Sequence, residues 1–237
     1  MTIVGPSNTD LSGIRIFHRK PKLLDLIAAV PLVVWCAACL VLQWPALMRD
    51  ISSLGLGKIE FLGMLDFVSR LMRFVFAGVL AALLVVRRTP IRKHGGVLAR
   101  LIALFGAYGG AAAQVLPVNP ALTSWLIGSS LLTIGGTSFA IFSLSWLGRS
   151  ISIMPESRKL VTTGPYSIIR HPLYFGEQTA IVGIALQSSS VLVAAILTVQ
   201  MACQLYRMRC EEKVLSESFV EYDAYRKGTS FIIPWLY

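Results

Sequence analysis

Six long apolar runs separated by short polar connections constrain this chain more than any other feature of its sequence. They cover about residues 23–44, 61–86, 97–117, 121–147, 173–187 and 189–207. A helix needs about 20 apolar residues to cross a bilayer. The chain is 55% hydrophobic and only 14% charged, which is not the composition of a typical soluble domain. The pattern predicts an all-α integral membrane protein with about six transmembrane helices and little mass outside the membrane.

The last two runs are short and are joined by the segment Gln187-Ser188-Ser189-Ser190. A single helix over both would have about 35 residues, which is too long for a hydrocarbon core of about 30 Å. We therefore expect a tight helical hairpin there. The predicted organisation is an N-terminal segment (1–22), a four-helix transmembrane region (23–147) and a C-terminal region with the hairpin and a tail (148–237).

The basic residues alternate between the connections. Four lie in residues 1–22, four in 87–96, four in 148–171 and five from 207 onward, whereas the other connections have two, none and none. The positive-inside rule places the basic connections in the cytosol. We therefore predict that both termini are cytosolic. Topology also accounts for the net charge of +10, so no nucleic-acid partner is expected.

Polar and cysteine residues inside the apolar runs favour structural roles. Cys36 and Cys39 have no His, Asp or Glu beside them, so we interpret them as small core residues and expect no metal site. Asp66 and Arg70 lie four residues apart in the second run, a spacing that predicts a structural ion pair on one helix face.

A polar, turn-rich insert interrupts the apolar pattern at residues 160–176, LVTTGPYSIIRHPLYFG. Gly164-Pro165 predicts a turn, and Pro172 is suited to be the first residue of a helix. The free N–H groups of such a helix could bind a carboxylate or phosphate. Alternatively, Arg170 and His171 are interfacial anchors, as basic residues at membrane boundaries often are.

In the sixth run, polar residues recur at steps of four, three and four: Gln200, Gln204, Arg207 and Glu211. Lipid would leave such a stripe unsatisfied, so it is predicted to face the protein interior or a cavity. A helix-packing face that ends in an ordinary Arg–Glu pair is the alternative. The tail 219–226 alternates aromatic and charged residues, which predicts an amphipathic cap over a cytosolic pocket or a segment lying on the headgroups.

The insert, the pair Glu211-Glu212 with Leu215, the aromatic residues Phe219, Tyr222 and Tyr225, and a terminal Ile-Pro occur here in one order. Over about residues 144–237 this set resembles the isoprenylcysteine carboxyl methyltransferase family and its bacterial and phospholipid-methylating relatives. The resemblance implies a membrane methyltransferase that holds S-adenosylmethionine in a cytosolic pocket. Region 148–237 would then be the cofactor-binding, catalytic region.

Carried over by position, the resemblance implies ten cofactor contacts and one residue, Arg207, that faces the acceptor and serves catalysis. The cofactor contacts are Arg158, Lys159, Leu160, Val161, Tyr166, His171, Pro172, Leu173, Tyr174 and Glu211. Physical reasoning agrees in part, because a zwitterionic methionine group needs an anion site, offered at Pro172, and a carboxylate, offered by Glu211. A soluble dinucleotide-binding architecture is not expected, since no glycine-rich strand-turn-helix unit is present.

The acceptor is expected to be lipophilic or lipid-borne and to enter from the membrane lipid. A fixed cation at Arg207 favours a carboxylate or thiol acceptor over an amine. Three alternatives stay open: a phospholipid N-methyltransferase, an NADPH-dependent enzyme similar to sterol reductases, and a non-catalytic membrane scaffold.

Overall fold

The computed structural model describes residues 22–57, 60–93, 97–112, 123–152, 154–188 and 190–234. These residues are mostly helical and include one two-stranded antiparallel ribbon. In chain order the elements are α1 (Lys22–Gly55), α2 (Phe61–Val86), β1 (Arg92–Lys93), α3 (Val97–Ala112), α4 (Thr123–Leu147), β2 (Glu156–Ser157), α5 (Pro172–Ser188), α6 (Val191–Ser216) and α7 (Tyr222–Gly228).

Four segments in the described part of the chain are long and apolar enough to cross a membrane. They are Ala29–Gly55, Phe61–Val86, Trp125–Ser150 and Val191–Ser216. The helices α3 and α5 have 16 and 17 described residues, fewer than the about 20 that a bilayer requires. The helical integral membrane architecture is thus confirmed. Six crossings and cytosolic termini stay predictions, and the predicted end of the third run at 117 lies outside the described residues.

Two helix ends predicted from the sequence are wrong. Helix α1 continues through Pro45 to Gly55 instead of ending at 44. Proline removes one backbone hydrogen bond, but α2 holds this last part of α1 in place, because Arg70 Nε donates to Asp50 Oδ2 at 2.9 Å. The predicted pair is also present, since Arg70 Nη2 donates to Asp66 Oδ2 at 2.7 Å. Helix α6 continues to Ser216 instead of ending at 207, because its charged residues bind other protein groups.

The expected hairpin has its short connection, but its two helices pack chiefly against different neighbours. Helix α5 lies along α4, where two glycines let the backbones meet. A Cβ on Gly136 would lie 2.4 Å from Ala180 N, and one on Gly176 would lie 2.7 Å from the α4 backbone. Helix α6 lies along α3, where Gln200 Nε2 donates to Gly106 O at 3.0 Å. The hairpin is therefore held by α4 and α3 more than by contact between its own helices.

The polar insert folds as its turn residues predict. Gly164 begins a short 3-10 helix at a φ of +63°, which glycine adopts without steric strain. A Cβ at this position would also lie 2.4 Å from the Trp146 ring, so both the backbone conformation and the packing require glycine here. Helix α5 begins at Pro172, as predicted. The insert therefore contacts the end of α4 through Gly164 and the end of α6 through Arg170.

The C-terminal tail packs against this insert. Ile169 and Ser230 form an isolated parallel bridge, in which Arg170 N donates to Ser230 O at 2.9 Å and Ser230 N donates to Ile168 O at 3.1 Å. Strand β2, just before the insert, pairs with β1 in the α2–α3 connection. The contact between tail and insert is therefore established by the backbone, while its position on the cytosolic side stays a prediction.

Candidate functional site

Two cavities of different character meet near the start of α5. The first, which we name the bundle cavity, measures about 1190 Å³ including the open space at its mouth. Its walls are mostly apolar and come from all six helices α1 to α6. The second, the loop cavity, measures about 750 Å³ on the same basis and lies between the polar insert, α6 and α7. Ser152, Leu173 and Tyr174 line both cavities. Molecules bound in the two cavities would therefore face each other at these three residues.

The loop cavity gathers nine of the ten residues expected to contact a cofactor. They are Arg158, Lys159, Leu160, Val161, Tyr166, His171, Leu173, Tyr174 and Glu211. The tenth, Pro172, is fully buried at the first position of α5 and does not line this cavity. Lys159 is exposed, whereas Arg158 is buried and donates from Nη2 to Glu156 Oε2 at 2.8 Å. The structure thus brings the predicted residues together, and their role in binding stays a prediction.

Glu211 occupies the junction of the two cavities. Its Oε1 accepts the Tyr174 hydroxyl at 2.5 Å and Arg207 Nε at 3.2 Å. Arg207 also donates from Nη2 to Ser152 O at 2.9 Å, and its guanidinium lies 5.0 Å from the centre of the Tyr174 ring. Among the described residues both hydrogen bonds of Glu211 use Oε1, so Oε2 is left for a ligand. The junction therefore has a fixed carboxylate with an open acceptor atom.

The polar stripe of α6 faces inward, as predicted. Gln200, Gln204 and Arg207 are buried and line the bundle cavity, and Glu211 lines the loop cavity. The stripe is partly a packing surface, because Gln200 bonds to α3. Its charged end is more than an isolated Arg–Glu pair, because the Tyr174 hydroxyl and a backbone carbonyl complete the network.

Glu212 points the other way and connects the insert to the tail. It accepts Arg170 Nε, and its Oε1 lies 3.5 Å from His171 Nε2. His171 also contacts the Phe231 ring, with 5.0 Å between ring centres. Arg170 in addition donates to the carbonyl of Thr229. His171 also lies against the Tyr174 ring, with 5.6 Å between ring centres, and its Nε2 is buried without a hydrogen-bond partner among the described residues. His171 therefore lines the loop cavity between the tail and Tyr174.

Tyr166 is the buried polar residue of the loop cavity with the clearest capacity for a ligand. Its hydroxyl has no hydrogen-bond partner among the described residues. Burial raises the pKa of Tyr166 well above its usual value, which keeps the hydroxyl protonated and able to donate. The Tyr225 hydroxyl of α7 donates to Tyr166 O at 2.7 Å, and burial raises the pKa of Tyr225 to about 12. The tail thus positions Tyr166 against the cavity.

Sequence reasoning missed two charged residues that line the bundle cavity, Glu177 and Arg73. Glu177 lies one turn and a half into α5 and interacts electrostatically with Arg207 and Glu211. The sequence could have indicated Glu177, because a carboxylate within an apolar run must face other protein groups or a cavity. Arg73 lies within the second apolar run, where a charged residue is equally costly in lipid. Within the described ranges no three His, Cys, Asp or Glu side chains are grouped closely enough to hold a metal ion.

Two curated proteins are similar to part of this chain. The chain is 39% identical over 113 residues to the nickel-cobalt-cadmium resistance protein NccN of Alcaligenes xylosoxydans xylosoxydans, covering 46% of this chain and 53% of that protein. It is 35% identical over 109 residues to the cobalt-zinc-cadmium resistance protein CzcN of Cupriavidus metallidurans, covering 45% and 50%. The chain thus spans about half the length of these curated relatives.

A family model matches the part of the sequence that contains the three residues shared by the two cavities. It is described as phospholipid methyltransferase and matches residues 124–221, from the first turn of α4 to the residue before α7. The family consists of integral membrane methyltransferases related to the isoprenylcysteine carboxyl methyltransferases, so the resemblance noted in the sequence is confirmed. Residues 124–221, which carry the insert, Tyr174, Arg207 and Glu211, are thus similar to the phospholipid methyltransferase family, and we refer to them as the family region.

Proposed function

We propose that this chain is a membrane methyltransferase that binds S-adenosylmethionine in the loop cavity and methylates a lipophilic acceptor in the bundle cavity. The observation that carries the proposal is the shared wall of a polar and an apolar cavity at Ser152, Leu173 and Tyr174. A zwitterionic cofactor suits the polar cavity, and an acceptor that enters from the bilayer suits the apolar one.

The residues of the loop cavity fit this cofactor. Glu211 Oε2 would bind the ammonium of the methionine part, and the first N–H groups of α5 would bind its carboxylate. The buried Tyr166 hydroxyl supplies a further donor. When bound, the cofactor supplies a methyl group on a positively charged sulfur. The protein's own task is then to align the acceptor with that methyl group and to exclude water.

The acceptor class depends on the charge at the junction. The sequence argument for a carboxylate or thiol acceptor treated Arg207 as an uncompensated cation. Arg207 is paired with Glu211, and Glu177 adds a second carboxylate to its surroundings. The charge of Arg207 is thus compensated by Glu211 and does not select an anionic acceptor, and Glu177 is placed in the same cavity to accept a proton from an amine. We therefore propose a lipid amine as the acceptor, in keeping with the family's description, and retain a carboxylate or thiol as the second candidate because Arg207 lines the acceptor cavity.

Two measurements on the detergent-solubilised protein test the proposal. In a thermal-shift series, we expect S-adenosylhomocysteine to raise the melting temperature and NADPH to leave it unchanged. Stabilisation by NADPH alone would select the reductase-like alternative, and stabilisation by neither ligand would select the scaffold. Incubation with methyl-labelled cofactor and total membrane lipid, followed by mass analysis of the product, then identifies whether nitrogen, oxygen or sulfur is methylated.

A further inference from the structure

Arg73 is a guanidinium in the middle of a membrane helix that faces a large apolar cavity. It lies 12 residues after the first residue of α2 and 13 before the last, so it is about 18–20 Å from either end at 1.5 Å per residue. It lines the bundle cavity, and its Nε is buried without a hydrogen-bond partner in the described part of the chain. A charged group at this depth is expensive unless something pairs with it.

The other cationic residues near this cavity are already compensated. Arg70, one turn earlier on α2, is paired with both Asp50 and Asp66. Arg207 is paired with Glu211, at the cavity's other end. Asp66 acts on Arg73 through space, but its Oδ2 already binds Arg70 at 2.7 Å. The charge of Arg73 is therefore the least compensated one on the cavity wall.

The cavity wall around Arg73 has one polar side chain, Gln43, among apolar ones. Gln43 of α1 lines the same cavity, and its Oε1 is buried without a partner among the described residues. The remaining wall nearby is apolar, with Trp35, Phe76 and Leu80 as its large side chains. An anion would accept hydrogen bonds from Arg73, and a donor group on the same ligand would bond to Gln43 Oε1. A hydrocarbon chain would pack against the apolar side chains.

We propose that Arg73 is the centre of a lipid-anion subsite in the bundle cavity. Its ligand is an amphiphile whose carboxylate or phosphate binds the Arg73 guanidinium and whose hydrocarbon chain lies against Trp35, Phe76 and Leu80. Arg73 belongs to α2, outside the family region 124–221, so this specificity is a property of the chain's N-terminal half. The subsite holds whether or not its lipid is the methyl acceptor, so it stands apart from the proposed function.

Equilibrium binding of three 16-carbon probes to the full-length protein in nonionic detergent tests the subsite. Radiolabelled hexadecanoate and hexadecyl phosphate carry the anion, and 1-hexadecanol has the same chain without a charge. We expect both anions to bind the wild type at least tenfold more tightly than the alcohol does. Tight binding of the phosphate alone would identify a phospholipid-like ligand and still supports the subsite. Equal binding of all three probes to the wild type would overturn the proposal without any variant.

Two variants locate the effect. Arg73→Gln should reduce the preference for the anions to less than threefold, while Arg49→Gln should keep it, because Arg49 is exposed on α1 and does not line the cavity. Binding of S-adenosylhomocysteine should be unchanged in both, which separates this result from a failure of the proposed methyltransferase function. If Arg73→Gln does not fold, Arg73→Lys retains the charge and should retain at least part of the preference. An equal loss in the Arg49 and Arg73 variants would contradict the assignment.

Discussion

Replacing Glu211 by glutamine changes one charge at the junction of the two cavities and leaves its shape intact. The glutamine oxygen can still accept the Tyr174 hydroxyl and Arg207 Nε, which now bond to Glu211 Oε1. Because charge-assisted bonds are roughly twice as strong as neutral ones, we expect the free energy of unfolding to fall by about 1–2 kcal/mol. Such a variant still folds, so its ligand binding can be measured.

The loss of cofactor affinity should be larger. The ammonium of the cofactor would meet a neutral amide in place of Glu211 Oε2, and a hydrogen bond to a charged group contributes about 1.5–3 kcal/mol. At 1.4 kcal/mol per decade this corresponds to a loss of roughly one to two decades in affinity. Isothermal titration calorimetry with S-adenosylhomocysteine on the detergent-solubilised protein measures it directly.

The matched control is Glu221→Gln, which removes the same charge from an exposed residue that lines neither cavity. It should bind S-adenosylhomocysteine like the wild type. If Glu211→Gln retains an affinity within twofold of the wild type, or if both variants weaken equally, Glu211 does not contact the ligand and the loop cavity is not the cofactor site in the form proposed.

Three further predictions concern the junction, the tail and the helix packing. Arg207→Lys keeps the charge but loses the planar fork, so turnover in a methyl-transfer assay should fall much more than cofactor affinity, whereas parallel losses would indicate a structural role. Tyr225→Phe removes the bond to Tyr166 O and should lower the free energy of unfolding by about 0.5–1.5 kcal/mol in chemical denaturation; no change would mean that the bond is not formed in solution. Gly136→Ala should destabilise by about 1–3 kcal/mol in the same assay, because its Cβ would meet the α5 backbone at 2.4 Å, while Gly135→Ala, which has no atom within 4 Å, should be neutral or stabilising. Equal effects of the two alanines would contradict the packing of α4 on α5.

Local chemistry explains what the sequence predicted well. Gly164 and Pro172 define backbone conformations through their own covalent structure, so the turn and the start of α5 could be inferred without knowledge of their neighbours. The inward orientation of Gln200, Gln204 and Arg207 followed from helical periodicity and the absence of hydrogen-bond partners in lipid. These inferences depend on residues near one another in the chain, which is why they succeeded.

Partners distant in the chain explain what the sequence did not predict. Helix α1 extends beyond its predicted end because Asp50 forms an ion pair with Arg70 of α2. Helix α6 extends beyond its predicted end because Glu211 accepts the Tyr174 hydroxyl and Glu212 accepts Arg170 Nε. No residue spacing along one helix encodes such pairs. The adjacent residues Glu211 and Glu212 point apart, and only the fold assigns the first to the cavity junction and the second to the tail.

The charge at the cavity junction depends on the ion pair of Arg207 with Glu211 and not on Arg207 alone. Arg207 alone suggested an anionic acceptor, whereas Arg207 paired with Glu211 carries no net charge. An amine acceptor must lose a proton before its lone pair can attack a methyl group, and a carboxylate acceptor need not. Glu177 lines the acceptor cavity and is a carboxylate, so one side chain could both attract the ammonium form and receive its proton. A carboxylate acceptor has no proton to lose, so a base at Glu177 would not assist it. The position of Glu177, more than that of Arg207, is therefore the argument for nitrogen as the methylated atom.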